Sequence, residues 1–140
     1  MSLAQEPVGT PGGAHPQPRK PAAIRLELPA SPSYRAVGRL VVGGAAARLG
    51  FQVEQVEDLQ LAVEALLART PARGSVSLEL AESRAGLRVR IGPLEPARDE
   101  RERVREMLRS LVHDADVQDS RDEEWIVLRA TRSRPPARRT

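Results

Sequence analysis

Val56-Glu57-Asp58-Leu59-Gln60-Leu61-Ala62-Val63-Glu64-Ala65-Leu66-Leu67-Ala68 is the stretch on which the reading of this chain turns. Val53, Val56, Leu59, Leu61, Val63, Leu66 and Leu67 predict a helix starting near Val53, with Pro71 beyond its end. Glu57 and Asp58 stand early in it, where the positive end of the helix dipole favours carboxylates. Glu64 is the only charge between Leu61 and Ala68. As a structural residue it marks the margin of a buried face, its carboxylate reaching solvent. As a functional residue it is a base at the edge of a sheet, and it is the candidate catalytic residue of the chain.

Outward from this helix, the pattern alternates between sheet and helix. Ile24, Leu26 and Leu28 alternate with Arg25 and Glu27, the period-2 mark of a half-buried strand that Pro29 and Pro32 end. Ser33 is placed to cap a first helix carrying Tyr34, Val37, Leu40, Val41 and Leu49, with Gly50 as its stop. Gly43-Gly44 inside it costs about 1 kcal/mol per Gly relative to Ala, so the pair either admits a close helix crossing or weakens the middle. After a turn at Arg73-Gly74, Val76, Leu78 and Leu80 alternate. Beyond Ser83–Gly86, so do Leu87, Val89 and Ile91, which is a hairpin signal that Gly92, Pro93 and Pro96 break. A third helix is expected from about Arg98, with Val104, Met107, Leu108, Leu111 and Val112 on one face and Glu100, Arg103, Glu106 and Arg109 on the solvated one. The acidic run Asp114–Glu124 reads as a loop, and Trp125–Ala130 as the closing strand.

The expected fold is α+β, in the order β-α-α-β-β-α-β: a two-layer sandwich whose mixed sheet is covered on one face by helices. Arg25, Glu27, Glu79, Arg88 and Arg90 fit a polar, open face opposite them. The Pro- and Gly-rich residues 1–21 and the Arg- and Pro-rich residues 132–140 read as disordered tails around a domain at 22–131.

Composition narrows the function. Aromatic residues make up 2% of the chain, too few for base stacking. The net charge of +3 divides into +1 over 1–21, −2 over 22–131 and +4 over 132–140. The positive charge thus sits in the tails, and no basic stripe for nucleic acid appears in the folded part. No run approaches the roughly 20 apolar residues that cross a bilayer, and the start has no apolar signal segment, so the expected location is cytoplasmic. Of 22 basic residues 21 are Arg, which with abundant Ala and Pro suggests a high-GC bacterial genome.

Chemistry has little to draw on. Without Cys there is neither a disulfide nor a thiolate metal site. His15 falls in a tail. His113, beside Asp114 and Asp116, reads more simply as a cation at a helix C-terminus than as a metal ligand. Gly43-Gly44 follows no strand and so forms no phosphate loop. This leaves Glu64 without catalytic partners, the expectation for a domain that works by binding another protein.

The segment Val56–Leu67 resembles the N-box helix of the histidine-kinase-type (GHKL, Bergerat-fold) ATPase superfamily, and most of all its anti-sigma-factor branch of small serine kinases. Leu26-Glu27-Leu28-Pro29-Ala30-Ser31-Pro32 is similar to that family's first strand and turn. Val37, Arg39-Leu40 and Ala47-Arg48-Leu49-Gly50-Phe51 are similar to its first helix, and the likeness covers about 24–131. The resemblance implies that Glu64 stands at the glutamate that orients the attacking group. Four residues on, the family's Mg²⁺-holding Asn is replaced by Ala68. The family's Asp-x-Gly-x-Gly adenine box is replaced by Gly92-Pro93-Leu94-Glu95-Pro96. Its Gly-rich lid is expected near Asp119–Glu124, where this chain is acidic and would repel phosphates. The resemblance therefore implies a degenerate nucleotide site and no bound cofactor. It implies a regulatory domain that sequesters a sigma factor, is displaced by an anti-sigma antagonist, and forms a homodimer. The alternative is an active ATP·Mg²⁺-dependent serine/threonine kinase with Glu64 as its base.

Overall fold

The computed structural model describes residues 23–71, 73–120 and 123–132. The expected tails lie outside these residues, apart from Arg132. That side chain donates to Leu49 O at 3.0 Å and to Arg84 O at 3.1 Å, so it binds the folded domain.

Strand β1 (Ala23–Pro29) leads through a 3₁₀ turn at Pro32–Tyr34 into α1 (Arg35–Arg48) and then α2 (Val53–Leu67). Strands β2 (Ser75–Glu82) and β3 (Gly86–Leu94) follow, then a 3₁₀ turn at Arg98–Glu100 with α3 (Arg101–Arg109), and finally β4 (Asp114–Ser120) and β5 (Glu123–Thr131). The sheet order is β1-β2-β3-β5-β4. Every neighbouring pair is antiparallel, which corrects the mixed sheet expected from the sequence. The reason lies in the connections. Two helices between β1 and β2 return the chain to the end where β1 finished, so β2 runs back along it. The single helix α3 makes β4 parallel to β3, but β5 lies between them and runs against both.

The acidic run is also corrected. Rather than a loop, Asp114–Ser120 is β4, pairing with β5 from Asp114↔Arg129 onward. Ala115 is buried and Val117 packs against the core, while Asp116 and Gln118 face solvent. That alternation is a strand signal that the acidic composition hides, and charge suits a sheet edge because it discourages pairing with another chain.

The helices cover one face, as expected, but α1 is turned differently from its sequence pattern. Gly38, Val42, Gly43 and Ala46 are its buried residues, while Val37 is 38% exposed and Leu40 64%. Small residues go inward because the neighbours are close. A Cβ on Gly43 would lie 2.2 Å from Gln60 Nε2, and one on Gly38 would lie 2.7 Å from Leu67 Cδ1. Gly43 thus serves the close helix crossing, and α1 and α2 run antiparallel along each other. In α2, Leu59, Ala62, Val63, Leu66 and Leu67 are buried, whereas Leu61, roughly 200° round the helix from Leu59, is exposed. Beneath them Leu78, Val89, Ile91, Ile126 and Leu128 complete the core.

The opposite sheet face is polar, as expected. Glu79 meets Arg25 at 3.5 Å and Arg90 at 3.4 Å. The Arg90 guanidinium lies 3.9 Å from the centre of the Trp125 ring, a cation–π contact. Trp125 lies over Gly92, where any Cβ would strike the indole.

Candidate functional site

Two places on α2 bear on function: its outer stripe and its C-terminal end. Glu57, Leu61, Glu64 and Ala68 recur at spacings of four, three and four along the helix, one exposed stripe. Glu64 projects from that stripe into a groove of about 310 Å³ shared with Arg39, Glu57, Gln60 and Leu61. That volume is near the lower end, about 300 Å³, of small-molecule sites. Gln60 Nε2 donates to Arg39 O at 3.2 Å and locks the two helices together beneath it. The Glu64 carboxylate makes no hydrogen bond or ion pair among the described residues. Glu57 and Glu64 put two carboxylates on one groove, with Arg39 as the cation nearest in the lining.

The C-terminal end of α2 is tied down. Ala68 is its C-cap residue. Immediately after it, Arg69 accepts the Glu95 N–H on its carbonyl at 2.9 Å. The Arg69 guanidinium donates through Nη2 to the Glu95 carbonyl and to Glu124 Oε1. Glu124 is 1% exposed, and Arg101 Nη2 of α3 lies 3.5 Å from its other oxygen. One buried carboxylate thus joins α2, the segment after β3, α3 and β5. The sequence reading missed this cluster, since Glu124 stood there as one more acid of a loop. Its only sequence signal is an acid one place before Trp125, on the inward phase of the closing strand.

The remaining candidates do not gather. His113 is exposed and lies beyond Arg109, the last residue of α3, so it is not the helix-end cation expected. Asp114 instead pairs with Arg129 at 3.4 Å. Among the described residues no group of three or more His, Asp or Glu is placed to hold a metal ion, and no helix is long and apolar enough to cross a membrane. Of the expected lid segment, Glu123 and Glu124 open β5.

A five-stranded antiparallel sheet backed by α1, α2 and α3 gives the chain a fold like that of the histidine-kinase-type ATPase domain. The crystal structure of the RsbU and RsbW domains of Rv1364c from Mycobacterium tuberculosis shares the fold, with a TM-score of 0.67 at 16% identity over 81% of this chain and 33% of that one. Within the class, the chain resembles the serine-protein kinase RsbW. It is 52% identical to RsbW of Listeria monocytogenes over 40 residues, 29% of this chain and 26% of that protein. To RsbW of Bacillus pumilus it is 42% identical over 40 residues, 29% of this chain and 25% of that protein. The chain spans about a quarter of the length of these curated relatives. No family model matches it. The anti-sigma-factor and serine-kinase branch read from Val56–Leu67 is the branch it resembles.

Proposed function

We propose that this chain is a cytoplasmic regulatory domain that sequesters a sigma factor by steric occlusion, with a nucleotide site that no longer holds ATP·Mg²⁺. The observation that carries the reading is the Arg69 clamp. The resemblance puts the Mg²⁺ ligand at Ala68 and the adenine box at Gly92–Pro96. In this structure the residue next to Ala68 is bonded to both backbone groups of Glu95. Ala68 offers a methyl group where a hard cation needs oxygen. Leu94 is 2% exposed and Gly92 lies under Trp125, so neither offers its backbone to a ligand. These residues do not fit the nucleotide, and no chemical step is assigned to it.

What remains is a domain with polar and apolar surfaces for protein contact. Binding would occupy the sigma factor's polymerase-binding surface, and an anti-sigma antagonist would compete for the domain, which acts as a homodimer. Isolation of the chain with its bound partners from the native bacterium should recover a sigma factor or an antagonist. Recovery of neither would overturn the sequestration reading.

A second reading, an active serine kinase, is favoured by one observation: the relatives that match at 42–52% identity are serine-protein kinases by name. Glu64 would then be the base. Incubation with ATP·Mg²⁺ and a candidate antagonist distinguishes the two. The first reading expects no phosphoserine above the level of a Glu64→Gln control, and the second expects stoichiometric phosphoserine that Glu64→Gln abolishes.

A further inference from the structure

We propose that the hollow between the β1–α1 turn and the C-terminal end of α2 binds a small free carboxylic acid with a short apolar body, its carboxylate held by Arg35. The inference stands apart from the sigma-factor and nucleotide readings, which other experiments test.

The first observation is the hollow and its walls. Strand β1 ends at Pro29, and the chain turns into α1 with Ala30 N–H donating to Gly74 O at 3.0 Å and Ser31 N–H to Pro29 O at 2.8 Å. Across from this turn, the Thr70 N–H and hydroxyl both donate to Leu67 O, at 3.2 and 2.6 Å. Both walls thus use their donors locally. Between them lies a space of about 280 Å³ whose floor is formed by the buried side chains of Leu28, Leu67 and Val76. That volume is close to the lower end, about 300 Å³, of small-molecule sites, so the hollow suits a ligand of fragment size. Pro29, Pro32 and Pro71 also line it, and none of them has an N–H to offer.

The second observation is charge. Arg35, the first residue of α1, is the only charged residue among those described in the lining. Its guanidinium makes no hydrogen bond or ion pair among the described residues. Glu27, the acid nearest to it in sequence, accepts from Ser75 Oγ at 2.9 Å and stands on the opposite phase of β1 from the buried Leu28. The hollow therefore presents one half-buried cation above an apolar floor, with no anion of its own.

The ligand that answers both features is an amphipathic monoanion. A guanidinium fork matches the two oxygens of a carboxylate, and an apolar body gains by leaving water for Leu28, Leu67 and Val76. The exposed ring of Tyr34, which also lines the hollow, extends that apolar contact to the mouth. A cation would meet Arg35 with no acid to offset it. An inserted peptide would bring backbone N–H groups to a floor that has no acceptor for them, so a free acid fits better than a segment of another protein.

Titration of the isotopically labelled full chain with octanoate, followed by amide NMR shifts, tests this. Octanoate has about ten non-hydrogen atoms, enough for saturable binding at millimolar concentration or below. The expected result is saturable shifts at Ala30, Thr70 and Val76, with the uncharged octanamide binding about tenfold more weakly. Arg35→Gln should weaken octanoate about tenfold, the size of one hydrogen bond to a charged group, and leave octanamide unchanged. Arg35→Lys should restore part of the loss, and Ala30→Leu, which narrows the hollow, should weaken both probes. Arg35 and Ala30 are only partly buried, so circular dichroism should show each variant folded. Absence of saturable shifts at millimolar octanoate overturns the proposal. So does equal binding of octanoate and octanamide, or binding whose shifts fall outside the hollow and ignore Arg35→Gln and Ala30→Leu.

Discussion

Glu124→Ala should lower the unfolding free energy by about 3–5 kcal/mol, the range for breaking a buried ion pair by removing one partner. Glu124 is 1% exposed, so its carboxylate has no water to fall back on. Without it, the Arg69 guanidinium keeps only the Glu95 carbonyl, and Arg101 loses an anion 3.5 Å away. The charge stranded on Arg69 dominates, because that side chain is 19% exposed. Replacing both partners with apolar residues, Arg69→Met with Glu124→Leu, should recover much of the loss, since no uncompensated charge then remains. Urea unfolding of the two variants is the measurement. A single variant within about 1 kcal/mol of the parent would place the pair in the range of solvated surface bridges and contradict the clamp.

The second large effect belongs to the helix that carries Glu64. Leu66→Ala should cost about 2–5 kcal/mol, the transfer of the lost methylenes plus the cavity left behind. Leu66 is fully buried in the core. Two positions earlier on the same helix, Glu64→Ala should change stability by no more than about 0.5 kcal/mol, as at ordinary surface sites. The contrast tests whether α2 is oriented as described. A costly Glu64→Ala would mean that the carboxylate has a structural partner in solution.

Much of this architecture can be read from the sequence because its signals are local. The alternation Ile24-Arg25-Leu26-Glu27-Leu28 and the hairpin of Val76–Leu80 with Leu87–Ile91 need only a period of two. Helix α2 starts at Val53, where its pattern begins. What escapes is decided by neighbours far along the chain. The face that α1 buries depends on Leu67, Leu28 and Gln60, whose proximity turns Gly38 and Gly43 inward and Val37 and Leu40 outward. Strand β4 is hidden by composition: Asp114, Asp116 and Asp119 are poor strand formers, and only pairing with β5 makes the segment extended. The resemblance marks Ala68 and Gly92–Pro96 as departures, but not that Arg69 fastens the one place to the other. That contact joins residues 26 apart, and the other partner of the same guanidinium, Glu124, stands 55 residues away.

The central claim is that the groove beside Glu64 and the clamped end of α2 no longer hold a nucleotide. Isothermal titration of the full chain with ATP·Mg²⁺ tests it most directly. The account predicts no saturable heat up to about 1 mM ligand, that is, binding weaker than about 4 kcal/mol. Saturable binding at micromolar concentration, about 8 kcal/mol, would contradict it and return Glu64 to the role of a catalytic base.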